Sequence, residues 1–242
     1  MNSLIKSEWY KLPKVTFITS IILAVMISEV LAIGLYYYNS HFSSVEASSL
    51  SFLIYALAWF IPVFYFLYGV FSAKIISTEY ESNMWSVLLV SKKSKREIIF
   101  AKFLVLLGLM FITMIVFMVC HLLTSLFVNG HIPNLMAFVY IMFAVFIGTL
   151  GMQAIQFFIA LVIENKVYVI AVGILLALVS LLMQSEMMPF KIPEQIINAT
   201  NILDHNMLVF FDMSFFVFGI YSTFVFVIIM VISNFYINRK EF

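Results

Sequence analysis

Cysteine occurs once, at Cys120, which excludes any intrachain disulfide framework. Charge is nearly as scarce: only 10% of the 242 residues are Asp, Glu, Lys or Arg, whereas 64% are hydrophobic and the mean hydropathy is +1.10. Soluble domains carry about a quarter charged residues, so this composition does not suit a chain surrounded by water. The Gly-x-x-x-x-Gly-Lys-Ser/Thr pattern that cradles nucleotide phosphates is missing, and with it the usual means of hydrolysing ATP. So are the His-Glu-x-x-His zinc pattern and the Gly-x-Ser-x-Gly nucleophile turn. His41, His121, His131 and His205 are scattered along the chain. Catalysis, a metal centre and a bound cofactor are not expected here, nor is a nucleic-acid partner.

What the chain does contain is long apolar runs. A helix needs about 20 largely apolar residues to cross a bilayer, and such runs fall at 15–37, 50–71, 98–128, 135–163, 167–183 and 213–237. The expected fold is an all-α integral membrane domain of six transmembrane helices occupying residues 1–242. With that division, twelve of the thirteen Lys and Arg residues lie on one side. The gaps at 39–49 and 129–134 contain none, and 184–212 contains only Lys191. Because basic residues stay on the cytoplasmic face of short loops, both termini are expected to be cytoplasmic. The first run reads as a span rather than a cleaved leader, since it is long and ends in Leu35-Tyr36-Tyr37-Tyr38 without a small-residue cleavage site.

The segment between the second and third spans is the most specific. At about 100° per residue, Ile76, Tyr80, Met84, Val87 and Leu88 share one face and Thr78, Glu79, Ser82 and Ser86 the other, predicting an amphipathic helix over 75–91. Its polar face is acidic and hydroxylic instead of Lys-rich, and Trp85 projects away from much of the apolar stripe. Both features favour a protein partner over anionic headgroups. Lys92, Lys93, Lys95 and Arg96 follow, a positive-inside anchor.

An acidic pair, a short helix, a Ser-basic turn and a Lys at the foot of the next span resemble the membrane subunits of type-2 ATP-binding-cassette exporters. Glu79 and Glu81 match the acidic positions, Ser94 and Lys95 the turn, and Lys102 the following Lys. The chain departs from that pattern at Asn83, where Gly is common, near Lys92, where Pro is usual, and at Lys95, usually Arg. The resemblance implies that 75–91 is the coupling helix, with Glu79, Tyr80, Glu81, Met84, Trp85 and Leu88 meeting an ATPase subunit, and that Glu164, Asn165 and Lys166 form a second cytoplasmic contact. It implies an N-terminal interfacial helix over 1–13, and short extracellular helices within 186–212. The partners implied are two copies of an ATPase that carries ATP and Mg, and a second permease, identical or similar. The nearest likeness is to small bacterial plasma-membrane permeases that confer immunity to lantibiotics or export amphipathic cytolytic peptides of the phenol-soluble modulin type. The resemblance thus implies export of an amphipathic or antimicrobial peptide. Alternatives are a lipid or glycan exporter, or a non-transporting assembly or sensor subunit.

Polar residues inside spans need a local reason, because desolvating them is costly. Glu29 is the outstanding case, between Ser28 and Val30. A carboxyl there is either hydrogen-bonded to a neighbouring helix or part of a substrate path. His121 with Thr124 and Ser125, and Gln153 with Gln156, are two further patches. With the aromatic stretch of the second span, they make Glu29, Trp59, Phe64, Tyr68, His121 and Gln153 the candidate translocation path.

Overall fold

The computed structural model describes residues 2–42, 49–81, 94–130, 132, 134–182, 200–202, 209–211 and 213–239. Seven helices are described: α1 (Asn2–Lys11), α2 (Lys14–Phe42), α3 (Ser49–Glu81), α4 (Lys95–Asn129), α5 (Leu135–Val162), α6 (Lys166–Leu182) and α7 (Met213–Arg239). Five of them, α2, α3, α4, α5 and α7, are long and apolar enough to cross a membrane. The sixth apolar helix, α6, has 17 described residues. At 1.5 Å per residue it spans about 26 Å, near the lower limit for a hydrocarbon core.

Local chemistry accounts for where several helices stop and start. Pro13 separates α1 from α2. Ser94 caps α4, its hydroxyl accepting from the Glu97 N–H at 3.3 Å, so that Ser94-Lys95-Arg96-Glu97 has the Ser-x-x-Glu spacing of a capping box. At the other end Gly130 adopts φ 69°, and its N–H reaches the Leu126 carbonyl at 3.1 Å. Asn134 and Asn165 start α5 and α6 by accepting from the N–H groups of Met136 and Val167, both at 2.9 Å.

Helix α3 is the hub, packing against α2, α4, α5 and α6, while α7 packs chiefly on α5. Lipid is as apolar as these side chains, so close packing and interhelical hydrogen bonds hold the helices together. The α3–α6 crossing occurs at Gly69 and Gly173, where a Cβ on Gly69 would stand 2.9 Å from the Gly173 Cα. The α5–α7 crossing centres on Gly151, whose N–H donates to the Ser222 hydroxyl at 3.1 Å; that hydroxyl lies 2.8 Å from the Ile147 carbonyl. On α2 the buried stripe runs Phe17, Ile21, Val25, Glu29, Ala32, Tyr36, and Ile18, Ile22, Met26 and Val30 are exposed to the surroundings.

Within the described residues, two segments can be compared with expectation. First, α3 does not end with its apolar run: the helix continues unbroken to Glu81, so 75–81 form its last two turns and not the start of a separate element. No Gly or Pro interrupts that stretch. Second, the described residues of the segment expected to hold short extracellular helices are extended. Strands β1 (Thr200–Ile202) and β2 (Val209–Phe211) pair antiparallel, with Thr200 opposite Phe211 and Ile202 opposite Val209. Thr, Ile, Val and Phe suit a pleated strand, and Asp204, His205 and Asn206 between them are turn-forming or polar.

Candidate functional site at the basic end of the bundle

The foot of α4 adjoins α1 on one side and the C-terminal half of α7 on another, which places the N-terminal helix and the end of α7 at the same end of the bundle. Ile5 and Trp9 of α1, with Leu12 just after it, are partly buried against the core, and Glu8 is also buried, only 5% exposed. Its carboxylate meets Lys102 of α4, which is completely buried two turns inside the helix, with Nζ donating to Glu8 Oε2 at 2.6 Å. Lys102 Nζ also lies 2.8 Å from Oε1 of Glu79, which projects from the last turns of α3. Lys11 completes the group, 2.6 Å from Glu8 Oε1 and 3.2 Å from Glu79 Oε1.

Two carboxylates and two ammonium groups thus tie α1, α3 and α4 together with no net charge. Burial pushes the Glu8 carboxyl upward, but Lys102 and Lys11 outweigh it and hold the pKa below the ordinary 4.5. Burial likewise pushes Lys11 down, and Glu8 and Glu79 outweigh it, raising the ammonium above its ordinary 10.5. Among the described residues Glu79 Oε2 has no hydrogen-bond partner.

The residues expected to meet an ATPase divide. Glu79 is 2% exposed and belongs to the charge cluster rather than to an outer polar face. The Tyr80 hydroxyl donates to the Leu161 carbonyl at 2.7 Å, linking the end of α3 to the end of α5. Glu81 closes α3, and Met84, Trp85 and Leu88 lie outside the described residues. Glu164, Asn165 and Lys166 are exposed where α5 gives way to α6, one turn beyond Leu161. Tyr80 therefore connects the two expected contact regions. Glu8 and Lys11 were not expected at a site. The signal for Glu8 was a charge beside the apolar face of Ile5 and Trp9, and Lys11 follows it one turn later.

Of the six candidate path residues, two are brought together. Glu29 Oε1 lies 3.2 Å from His121 Nδ1, and Thr124 Oγ1 donates to Glu29 Oε2 at 2.7 Å. This joins α2 to α4 inside the bundle: Glu29 is 2% exposed and His121 fully buried. The imidazole stacks on Phe52 and Phe117, centroids 5.0 and 5.7 Å away, and its Nε2 has no partner among the described residues. Phe64 and Tyr68 are fully buried core residues of α3, and Trp59 is half-buried. Gln153 is buried on α5, donating to Thr149 Oγ1 at 2.9 Å.

A bundle of long apolar helices, with a short N-terminal helix clamped by charges to one end, defines a multi-pass membrane protein. Residues 4–184 match the family model described as ABC-2 family transporter protein, about three quarters of the chain, from α1 through α6. The chain belongs to the ABC-2 transporter family, as a membrane permease. No curated protein and no solved structure matches it.

Proposed function

We propose that this chain is the permease half of an ATP-driven exporter in a bacterial plasma membrane. Two permeases, identical or similar, pair across the bilayer, and two ATPase subunits carrying ATP and Mg bind on the cytoplasmic side. The chain crosses six times, with α6 as its shortest span and both termini cytoplasmic. The observation that carries the reading is the charge cluster. It binds the interfacial helix, the end of α3 and the foot of α4 into one unit at the start of 75–91, the segment expected to receive the push of the ATPase. Differential binding of the ATP and ADP states supplies the free energy for that push. The Tyr80 contact extends the unit to α5 and the turn at Glu164, Asn165 and Lys166.

Glu79 in this reading positions the coupling segment, whereas Glu81, Met84, Trp85 and Leu88 touch the ATPase. An amphipathic or antimicrobial peptide is the proposed substrate, on the strength of the chain's size, its short outer loops and its resemblance to peptide-immunity and peptide-export permeases. Glu29, Trp59, Phe64, Tyr68, His121 and Gln153 are the residues proposed along its route, reached when the packed helices of this conformation separate.

Purification from native membranes in mild detergent, followed by mass spectrometry, tests the assembly. A stoichiometric Walker-motif ATPase is expected, and Glu81→Lys should lose it while the permease stays inserted. Retention of the ATPase and normal peptide export in that variant would refute the coupling assignment. Recovery of the intact chain with no ATPase would favour an assembly or sensor subunit. ATP hydrolysis stimulated by a lipid or glycan, and not by amphipathic peptide, would replace the substrate class.

A further inference from the structure

The crease between α4 and α7 holds an open groove of about 420 Å³ at the basic end of the bundle. Its length is apolar, walled by Ile99 and Phe100 from α4 and by Phe226 and Met230 from α7. Its mouth is polar, formed by Arg96, Glu97 and Asn234. The Asn234 side-chain oxygen is buried and has no hydrogen-bond partner among the described residues. An unsatisfied buried acceptor costs free energy unless a donor reaches it, so the mouth is set to receive a hydrogen-bond donor.

Charge selects the rest of the occupant. Arg96 lines the mouth and is exposed in the first turn of α4, beside Lys95. Among the described residues, Glu97 is the single opposing charge at the mouth. Basic pockets between transmembrane helices at the cytoplasmic face suit anionic headgroups, and an Arg fork matches phosphate oxygens. The walls exclude a free phosphate ion as the natural ligand, because nothing in such an ion would cover them.

We infer that the α4–α7 groove is a binding site for one anionic phospholipid with a hydroxylated headgroup. An acyl chain lies along Phe100, Phe226 and Met230, the phosphate sits at Arg96, and a headgroup hydroxyl donates to Asn234 Oδ1. Phosphatidylglycerol supplies every one of these groups. Phosphatidylcholine is zwitterionic and its headgroup carries no O–H or N–H donor. The inference requires only that the chain spans a membrane, so it stands whether or not the exporter reading does.

The full chain, delipidated in mild detergent, is titrated with dioleoyl phosphatidylglycerol or dioleoyl phosphatidylcholine, and retained lipid is counted by native mass spectrometry. Phosphatidylglycerol should be retained in preference. Arg96→Gln should weaken its retention about fivefold, the effect of one cation near an anionic headgroup, and Arg96→Glu should abolish the preference. Met230→Trp should fill the groove and lower retention of both lipids, while Lys6→Gln, on the exposed side of α1, should change nothing. Thermal melting by circular dichroism reports that each variant is folded. Equal retention of the two lipids by the natural chain overturns the proposal. So does a preference that survives Arg96→Glu. A Val231→Cys chain lacking Cys120 that forms a disulfide with its own copy also overturns it, since the groove would then be covered by a second permease.

Discussion

Carboxylates are buried between helices of this bundle at two places, in opposite ways. At the basic end, Glu8 and its neighbour Glu79 are held by two ammonium groups, and the four charges cancel across three elements. Inside the membrane-spanning part, Glu29 meets one imidazole nitrogen and one hydroxyl, and Phe rings flank the imidazole. The first arrangement combines formal charges with short hydrogen bonds, so losing one member strands the others. The second rests on two hydrogen-bonding contacts, from one ring nitrogen and one hydroxyl. A charge cluster suits a joint that must move as a unit; a hydrogen-bonded pair suits a contact that can part when helices separate.

The comparison is broken most forcefully at Lys102. Lys102→Met leaves Glu8 and Glu79 buried beside each other with only the part-exposed Lys11 between them, and removing one partner of a buried ion pair costs about 3–5 kcal/mol. A large fall in melting temperature is expected, with α1 becoming accessible to protease. An unchanged melt would mean that water already reaches the cluster. Acid should act on the same joint. Glu8 has a folded pKa below its ordinary 4.5, so its contribution is fully present above 4.5 and is lost as pH falls through the lower folded value. Lys11 has a raised pKa, so its contribution holds through 10.5 and is lost only as pH rises through the higher folded value. Melting temperature should therefore be level between those limits and drop on the acid side, and Glu8→Gln should flatten the acid limb. An identical acid limb in the variant would assign it to other carboxylates.

The interior pair should respond less. His121→Phe keeps an aromatic ring among Phe52 and Phe117 but deprives Glu29 Oε1 of its partner, an expected cost of about 1–2 kcal/mol. A loss as large as that of Lys102→Met would show that the two sites are energetically alike. Glu29→Gln preserves an acceptor for Thr124, so it separates packing from transport: altered peptide-stimulated ATP hydrolysis with an unchanged melt would put Glu29 on the route. The smallest effect belongs to Lys11→Ala. Its side chain is 35% exposed, and solvent-screened pairs of this kind contribute at most about 1 kcal/mol. A loss equal to that of Lys102→Met would make Lys11 an equal member of the joint.

Some of this was readable along the chain because it is local. Continuous apolar runs announce spans wherever they pack, and Ser94 with Glu97 is a cap whose partners lie within one turn. The Glu29–His121 contact was half legible. Each residue was out of place in an apolar run, but 92 positions separate them and nothing in the pattern pairs them. Helix α2 is apolar on every side, so composition could not say that the stripe through Val25, Glu29 and Ala32 faces inward. Glu79 misled because a carboxylate after an apolar run reads as a solvated face, whereas a lysine 23 residues later on α4 draws it inside.

The sequence by itself determined that this chain is a membrane protein, because the partition of apolar runs and basic flanks between lipid and water depends on composition and needs no knowledge of neighbours. Only the tertiary structure decided which buried charges meet. Glu8, Glu79 and Lys102 lie on three separate helices, and their attraction falls off with distance through a medium that the packing itself creates. Until α1, α3 and α4 are brought together and water is excluded, those residues are only isolated charges at the ends of apolar helices.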